Sequence, residues 1–321
     1  MLKTALVTGI TGQDGFHLTE FLYSKGYKIF GLVNNTSSPR AIEFSKKFPE
    51  VELLAGDLTD SSSLIRSIEI SKPNELYNLG AISFVGLSFK QPELTANVTG
   101  IGPLRLLEAI RAIGAEQEVK FYQASSSEMF GKVSRVPQNE TTSFHPISPY
   151  GVAKVYAHHI CVNYREEYKM HVSCGILFNH EGEYRGEQYV SRKITKAVAK
   201  IAKGNLDKIR LGTLDAKRDW GYAADYVEAM WLMLQQGTPD DYVIATGKTH
   251  SVRDFLSIAI EVAELPGNPE DYVIIDDTFK RPAEVNSLIG DATKAKKVLG
   301  WEPKVSFKDL VTKMVQNDLK N

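Results

Sequence analysis

The sequence has very little cysteine and almost no net charge. Its two cysteines, Cys161 and Cys174, are too few for a disulfide framework, and no spacing of Cys, His, Asp and Glu resembles a metal-ligand cluster. The 38 Lys and Arg residues against 39 Asp and Glu residues give a formal net charge of -1. A chain of this charge has no global field that attracts nucleic acid or an anionic membrane. We therefore expect no metal, no nucleic-acid partner and a reducing compartment.

Long apolar runs are also missing. Residues 1–8 form a short apolar stretch that ends at Gly9, well below the length of a signal peptide or a membrane span. The chain has 321 residues, of which 43% are hydrophobic and 24% charged, so it can bury a sizeable core. These observations predict a globular, cytoplasmic protein without a membrane partner.

A glycine-rich turn stands between the first predicted strand and the first predicted helix. Strand-forming residues 4–8 stop at Gly9, and an amphipathic pattern that includes Phe16 and Leu22 then continues to Gly26. Glycines at such a turn let the backbone approach a pyrophosphate at a helix N-terminus. A turn without a ligand is the alternative, but the position between a strand and a helix favours a nucleotide site. The candidate cofactor residues in this turn are Gly9, Thr11, Gly12, Gln13, Asp14 and Gly15.

Strand and helix patterns alternate as far as residue 177, which predicts an α/β fold with a doubly wound parallel sheet of the Rossmann type. Ligands of such sheets bind beyond the carboxyl ends of the strands, so the residues that follow the strands are expected to converge at one edge. These candidates are Asn35 after residues 28–33, Asp57 and Leu58 at the end of residues 51–58, Leu79, Gly80, Ala81 and Ser83 around the end of residues 75–81, and Ser126 and Glu128 after residues 119–124.

Two of these positions leave alternatives open. Asp57 is suited to reading an adenine amino group, and it is also suited to an Asx turn or a helix N-cap before residues 61–69. After the second strand, an acid would favour a free ribose hydroxyl and an arginine would favour a 2′-phosphate. The chain has Asn34 and Asn35 there, and Arg40 is the nearest cation. The choice between NAD and NADP therefore stays open.

Tyr150 and Lys154 lie four residues apart in a segment that predicts a helix over residues 149–168. The spacing places both side chains on one face, so the ammonium group can stand beside the phenol. A neighbouring cation favours the phenolate and lowers the pKa of a tyrosine from roughly 10 toward a range where it accepts a proton from a sugar hydroxyl. An isolated pair of this kind is usually an ordinary surface pair. With a nucleotide turn upstream, it predicts a catalytic pair.

The second half of the chain alternates less regularly. A sixth strand is predicted over residues 172–177, and only short elements follow, among them residues 242–245, a helix over residues 251–263 and a final helix from Phe307. These pieces predict a smaller, discontinuous substrate lobe rather than an independent domain. The nucleotide-binding domain is then expected to comprise residues 1–178 with part of residues 222–250, and the substrate lobe to comprise mainly residues 179–321.

Basic residues are concentrated between residues 182 and 222. A run of charge is usually a solvated helix face, and this interpretation is kept for Lys196, Lys200 and Lys203. A second bound anion is the interpretation for Arg192, Lys193 and Arg218, because their segment must cover the cleft at the strand ends.

The glycine turn together with Tyr150 and Lys154 resembles the extended short-chain dehydrogenase/reductase family. Longer stretches look specifically like the members of that family that dehydrate GDP-mannose, and the likeness extends from residue 4 to about residue 315. These stretches are TGITGQDG (8–15), YNLGA (77–81), KFYQAS (120–125), SPYGVAK (148–154), GILFNHE (175–181), DAKRDWG (215–221), DYVEAMWLM (225–233) and DYVIATG (241–247).

The resemblance implies a sugar-nucleotide 4,6-dehydratase, in which oxidation at C4 precedes elimination of water across C5 and C6 and return of hydride to C6. Tyr150 would take the proton of the C4 hydroxyl, Lys154 would tune it and hold the nicotinamide ribose, and Ser126 would bond the C4 oxygen. Glu128 would remove the C5 proton. The remaining positions that the family implies are His180 and Arg185 for the cofactor, and Ser83, Asn179, Lys193, Arg218, Arg281 and Glu284 for the sugar nucleotide.

The chain departs from the family pattern in a few places. The usual arginine pair after the second strand is Asn34-Asn35 here, so the implied cofactor is NADP with NAD still possible. The loop around Arg185 lacks one of the usual arginines and is associated in the family with tetramer contacts, so we expect a homodimer or a homotetramer. The alternative function is a reductase or epimerase of the same fold that acts on a GDP-linked hexose or heptose. Without elimination, such an enzyme would not need Glu128.

Overall fold

The computed structural model of the protein describes residues 2–279 and 288–321. Arg281 and Glu284, which the sequence predicts as substrate residues, lie outside the described residues. Twelve strands are found in the described part of the chain: β1 (Thr4–Thr8), β2 (Lys28–Val33), β3 (Glu52–Ala55), β4 (Glu75–Asn78), β5 (Lys120–Ser126), β6 (Val172–Leu177), β7 (Asn179–Glu181), β8 (Ile209–Leu211), β9 (Lys217–Tyr222), β10 (Asp241–Ile244), β11 (Thr249–Ser251) and β12 (Val273–Ile275).

The main sheet has seven strands in the order β10-β6-β5-β4-β1-β2-β3, and all of its pairs are parallel. The predicted doubly wound α/β fold is therefore confirmed. The strand order reverses next to β1, where the crevice of such a sheet lies. The last strand to join is β10, which reaches the edge of the sheet after the chain has passed through the smaller lobe.

Helices cover both faces of this sheet and build most of the smaller lobe. Their bounds are α1 (Gln13–Ser24), α2 (Pro39–Lys47), α3 (Ser61–Ser71), α4 (Val85–Ser88), α5 (Pro92–Thr95), α6 (Ile101–Ala112), α7 (Pro149–Glu167), α8 (Val190–Ala202), α9 (Ala223–Gln235), α10 (Val252–Val262) and α11 (Phe307–Lys320). Within the described chain, no helix combines the length and the apolar character needed to span a bilayer.

Buried hydrophobic cores hold these layers together, and three of the four found in the described residues are the following. On one face of the main sheet, Phe16 of α1 packs with Met230 of α9, and on the other face Leu64 of α3 packs with Leu106 of α6. A third core, which includes Phe255, lies in the smaller lobe among α8, α10 and α11. Full burial of one such side chain contributes about 1.5–3 kcal/mol, so these clusters fix the layers on which the site residues are mounted.

Some boundaries differ from the sequence prediction. The third strand ends at Ala55 and the fourth at Asn78, because Asp57 already belongs to a turn and Gly80 N–H is bonded to the Thr8 hydroxyl. Before α6 the chain forms a π-helical turn, Ala96–Gly100.

The smaller lobe contains two sheets that the sequence did not predict. One has the order β11-β9-β7, and the other pairs β12 with β8. Phe178 alone separates β6 of the main sheet from β7, so the backbone passes directly from one sheet into the other. The residues after β6 therefore lie where the two lobes meet.

Candidate active site

The glycine turn has the geometry of a dinucleotide site. Gly9 has a φ of +65°, and a Cβ there would lie 2.8 Å from the backbone nitrogen of Gly80. Gly15 lies inside the first turn of α1 and not in the loop, and a Cβ there would come within 2.0 Å of the Ile10 carbonyl oxygen. Only glycine allows both approaches. The N-cap of α1 is Gly12, which offers no side-chain acceptor, so the turn leaves backbone N–H groups for an anionic ligand.

A partly buried ion pair between Asp14 and His180 supports this turn. The two nitrogens of His180 contact the Phe178 carbonyl at 2.7 Å and the Asp14 carboxylate at 2.9 Å. Both partners only accept, so the ring donates from both nitrogens and is an imidazolium. Burial alone would lower the pKa of His180, but the charge of Asp14 raises it. Burial opposes the charge of Asp14 as well, yet His180 holds the pKa of that carboxyl well below its usual range. Gln13 connects the pair by donating to both Asp14 and the His180 carbonyl.

Asp57 forms an Asx turn, as one of the sequence interpretations predicted. Its carboxylate accepts from the backbone and hydroxyl of Thr59 at 2.8 and 2.7 Å. The N-cap of α3 is Asp60, so the N-cap interpretation of Asp57 is wrong. Leu58 is buried, and a Cβ on Gly80 would come within 2.8 Å of its side chain.

The segment after β2 is held to the glycine turn by Arg40. Its guanidinium donates to the carbonyl oxygens of Thr11 and Tyr184 at 3.0 Å each and stacks 4.5 Å from the ring of Phe16. Asn35 is exposed and accepts from the backbone of Ser37 at 2.8 Å. The positive charge of Arg40 therefore lies beside the glycine turn, although Asn34 and Asn35, which follow β2, carry no charge.

The segment after β4 follows the main sheet toward the smaller lobe. Gly80 is fixed by the Thr8 hydroxyl at 3.0 Å, while Leu79 packs against the core and Ala81 is partly buried. Ser83 is exposed, and its hydroxyl lies 2.7 Å from that of Tyr189. No role for Tyr189 was predicted from the sequence.

Ser126, Glu128, Tyr150 and Lys154 are brought to one place by β5 and α7. Ser126 ends β5, and its hydroxyl accepts from the Glu128 backbone at 3.2 Å, which places Glu128 in the short 3-10 turn that follows. Ser148 caps α7 by accepting from the Gly151 backbone at 3.0 Å. This cap and Pro149 at the first helical position start the helix directly before Tyr150. Tyr150 and Lys154 are both buried.

The pKa values of the predicted catalytic pair differ from the sequence prediction. Burial raises the pKa of Tyr150, although a hydrogen bond from Ser126 and the charge of Arg185 lower it in part. Burial also lowers the pKa of Lys154 to about 8, against an opposing effect of Asp14. The phenol pKa is therefore raised and not lowered as the sequence predicted, because desolvation disfavours the charged form of both groups.

The face of α7 that carries this pair continues into a polar network that the sequence did not predict. His158 lies 3.0 Å from the Ser125 hydroxyl, and its other ring nitrogen lies 3.7 Å from the Asp241 carboxylate. Arg165 donates to both oxygens of Asp241 at 2.8 and 2.9 Å. Cys174 joins His158 and Asp241 in a group whose potential metal-ligating atoms lie within 4.8 Å of one another. The Arg165 guanidinium already neutralises the Asp241 carboxylate, which is one of the potential metal ligands in that group.

The predicted substrate residues are distributed over the smaller lobe. Asn179 lies in β7, Lys193 in the first turn of α8, and Arg218 in β9, where it donates to the Lys217 carbonyl at 2.7 Å. Burial lowers the pKa of Lys193. Arg192, the other residue predicted to bind the second anion, is buried, lines the cavity and forms an ion pair with Asp318 at 2.9 Å through one guanidinium nitrogen, so its role toward an anion stays a prediction.

A cavity of about 960 Å³ opens beside the glycine turn. Thr11, Gly12 and Gln13 line it from the main sheet, and Arg185 and Tyr189 line it from the smaller lobe. This volume is at the upper end of the range for small-molecule sites. Arg185 is held there by Glu181 at 2.9 Å and by the Tyr189 ring at 3.6 Å from its guanidinium carbon.

The parallel sheet, the glycine turn and the group around Tyr150 define a nucleotide-dependent enzyme of the extended short-chain dehydrogenase/reductase class. The fold is that of UDP-glucose 4-epimerase from Thermotoga maritima, solved with UDP-glucose, with a TM-score of 0.86, 27% identity and 99% of both chains covered. The chain belongs to the GDP-mannose 4,6 dehydratase family, whose model matches residues 6–314.

Named relatives agree with this family. The chain is 50% identical over 340 residues to the GDP-mannose 4,6 dehydratase of Cricetulus griseus, with 99% of this chain and 91% of the relative covered. It is 52% identical over 327 residues to GDP-mannose 4,6 dehydratase 2 of Arabidopsis thaliana, with 99% and 87% covered. A further structure of the same fold is UDP-glucose 4-epimerase of Thermus thermophilus in complex with NAD, with a TM-score of 0.86, 26% identity and 98% of both chains covered.

Proposed function

We propose that this chain converts GDP-alpha-D-mannose to GDP-4-dehydro-6-deoxy-D-mannose and water. Membership of the family and the names of relatives about 50% identical support both the substrate and the hydro-lyase reaction. The observation that carries the mechanism is the position of Glu128. Its backbone N–H donates to the Ser126 hydroxyl at 3.2 Å, and a Cβ on Gly151 would come within 2.7 Å of its carbonyl oxygen, so residue 128 lies beside the first turn of α7, next to Tyr150.

Each residue of this group has a task in the reaction. Tyr150 takes the proton of the C4 hydroxyl, and Ser126 bonds the C4 oxygen while C4 becomes a ketone. That ketone makes the C5 proton acidic, and Glu128 removes it and assists departure of the C6 hydroxyl as water. Lys154 supplies the positive charge that a Tyr150 phenolate needs in a buried site.

A nicotinamide cofactor fits the glycine turn. The uncapped start of α1 and the close approach of Gly9 to Gly80 support a diphosphate there, and Asn35, Asp57 and His180 are placed along the same edge. When bound, the nicotinamide supplies the chemistry of accepting hydride from C4 and returning it to C6. Solved structures of this fold include one in complex with NAD. We infer NADP for this chain, because Arg40, which is ion-paired with Glu43 at 2.8 Å, provides a cation near the second strand and the residues directly after that strand, Asn34 and Asn35, are not acids.

The sugar nucleotide is assigned to the junction of the two lobes. Asn179, Lys193 and Arg218 lie on β7, α8 and β9, which supports a substrate lobe formed mainly by residues 179–321. The nucleotide-binding part would comprise residues 1–178 together with the returning β10. Arg281 and Glu284 keep their assignment from the sequence resemblance.

We also infer a cytoplasmic homodimer or homotetramer. Buried free thiols at Cys161 and Cys174 support a reducing compartment. Exposed apolar side chains on neighbouring helices support self-association, namely Leu94 on α5, Ile101 on α6, and Val152 and Tyr156 on α7. Light scattering coupled to size-exclusion chromatography measures this state, and a monomer at micromolar concentration would contradict it.

The decisive experiment is incubation of the purified protein with GDP-mannose, with and without NADP or NAD, followed by detection of the 4-keto-6-deoxy sugar. Glu128→Gln should lower product formation by about 10²–10⁴-fold, which is the usual contribution of a general acid–base group, while cofactor affinity is retained. Glu118→Gln, at an exposed position before β5, is the matched control. Full activity of Glu128→Gln would contradict the mechanism, and an epimerised or reduced hexose as product would favour the alternative enzyme.

A further inference from the structure

The hydroxyls of Ser83 and Tyr189 meet across the cleft. They lie 2.7 Å apart although the residues are separated by 106 positions in the chain. Ser83 follows β4 on the main sheet, and Tyr189 directly precedes α8 in the smaller lobe. This contact therefore joins the two lobes at the mouth of the cavity, which both residues line.

The ring of Tyr189 is fixed from two sides. The guanidinium of Arg185 stacks on its face at 3.6 Å, and the ring of Phe84 contacts it edge-on with centroids 5.8 Å apart. Arg185 is in turn held by the carboxylate of Glu181 at 2.9 Å. A cation over a tyrosine face and an edge-on aromatic pair are both attractive, so the direction of the hydroxyl is set before a ligand binds.

The pair also lies near the helix that carries Tyr150, because α4 begins two residues after Ser83 and packs against α7. Burial is the largest cause of the raised Tyr150 pKa, and the charges of Tyr189 and Arg185 also act on it. Each hydroxyl can donate one hydrogen bond and accept two, so a mutual bond between Ser83 and Tyr189 leaves one donor and several lone pairs for a ligand. This combination suits a sugar hydroxyl, which also both donates and accepts.

We propose that Ser83 and Tyr189 form a hydroxyl clamp that binds a hydroxyl of the hexose next to its reacting C4 position. The inference rests on the proposed function, and it adds a specificity residue, Tyr189, that neither the sequence nor the comparisons assign. The clamp orients the hexose so that its C4 hydroxyl faces Tyr150. The nucleotide half of the substrate is held elsewhere, so the clamp distinguishes hexoses and not nucleotides.

The test uses Tyr189→Phe, which removes the hydroxyl and keeps the ring under Arg185, together with Ser83→Ala and the double variant. A lost hydrogen bond to the hexose should raise the KM for GDP-mannose about tenfold in each single variant, with a smaller change in kcat. The double variant should be no worse than about the worse single variant, because the hydroxyls act as a pair. Inhibition by GDP alone and affinity for NADPH should stay unchanged.

Tyr23→Phe is the matched control, since Tyr23 is 56% exposed on α1. Thermal unfolding of each variant separates a loss of folding from a loss of binding. If Tyr189→Phe does not fold, the KM of Ser83→Ala still tests the clamp. Unchanged KM in both single variants overturns the clamp, and so does an equal weakening of GDP alone, which would place the contact on the nucleotide. If the wild-type protein does not turn over GDP-mannose, the proposed function fails, and the clamp fails with it.

Discussion

The ammonium nitrogen of Lys154 lies 5.7 Å from the centroid of the Tyr150 ring and donates a hydrogen bond to the Ala124 carbonyl oxygen at 2.6 Å. The ammonium group is therefore anchored to β5 and at the same time lies over the Tyr150 ring. Burial acts on both groups in the same sense, because it disfavours the phenolate and the ammonium alike. Several consequences of this and of other contacts can be measured.

The pH dependence of catalysis should report Lys154. In the ligand-free enzyme the phenolate fraction grows with pH, while the ammonium fraction falls above the Lys154 pKa of about 8. The logarithm of kcat/KM should therefore rise with pH and level off near pH 8. Lys154→Arg should have a lower kcat/KM than the wild type. Because its guanidinium stays charged, this kcat/KM should continue to rise above pH 8. A variant profile that levels off at the same pH as the wild type would contradict this assignment.

Substitution of Gly9 by alanine should weaken cofactor binding. Gly9 and Gly26 both have positive φ, +65° and +78°, so alanine at either costs about 1 kcal/mol of stability from backbone strain. Only at Gly9 does the new Cβ meet backbone, 2.8 Å from Gly80, whereas nothing lies within 4 Å at Gly26. We expect Gly9→Ala to weaken NADPH binding at least tenfold by fluorescence titration and Gly26→Ala to bind normally. Equal affinities for the two variants would exclude the role of the close approach.

The Asp14 and His180 pair should stabilise the fold only within a window of pH. The pKa of His180 is raised from 6.5, so its contribution is full below 6.5 and is lost as pH rises through the raised value. The pKa of Asp14 is lowered from 3.8, so its contribution is full above 3.8 and is lost on acidification. Asp14→Asn should cost about 1.5–3 kcal/mol between pH 4 and 6.5, roughly the ordinary pKa values of the two groups, and less at pH 9. Urea unfolding at pH 5.5 and 9 measures the difference, and a cost independent of pH would refute it.

Loss of Asp219 should destabilise the smaller lobe. This buried carboxylate accepts from the backbone and hydroxyl of Thr246 at 2.9 and 2.6 Å, from Gly247 at 2.9 Å and from Gly290 at 3.2 Å. Asp219→Asn turns an amide donor toward these donors and should cost about 3 kcal/mol or more. Asp215→Asn, at a side chain that is 83% exposed, should cost less than about 0.5 kcal/mol. Thermal unfolding compares the two, and a similar Tm for both would disprove the anchoring role.

The regular parts of the molecule follow from sequence pattern, because buried parallel strands and amphipathic helices leave a periodic signal. The strands Thr4–Thr8 and Val172–Leu177 agree with their predicted bounds, and α7 agrees within one residue. The three-residue strands of the smaller lobe, such as Asn179–Glu181, are too short for such a signal.

Properties that depend on partners from distant segments could not be predicted. The pKa of Tyr150 depends on desolvation, which a helical spacing does not report, and Arg192 turned out to face Asp318 on the last helix. The role of Tyr189 depends on a contact with Ser83 that only the folded chain creates. The one signal for this role in the sequence was the position of the tyrosine between Arg185 and the start of a helix.

The link between Arg165 and Asp241 has a consequence for the growing polypeptide. The helix that presents Tyr150 is secured at its far end by a carboxylate that lies 76 positions further along the chain. A nascent chain from which β10 has not yet emerged would hold the whole glycine turn and all four proposed catalytic residues, yet the helix that carries Tyr150 would lack this tether. Competence for chemistry should therefore arrive late in translation, well after the first six strands are available.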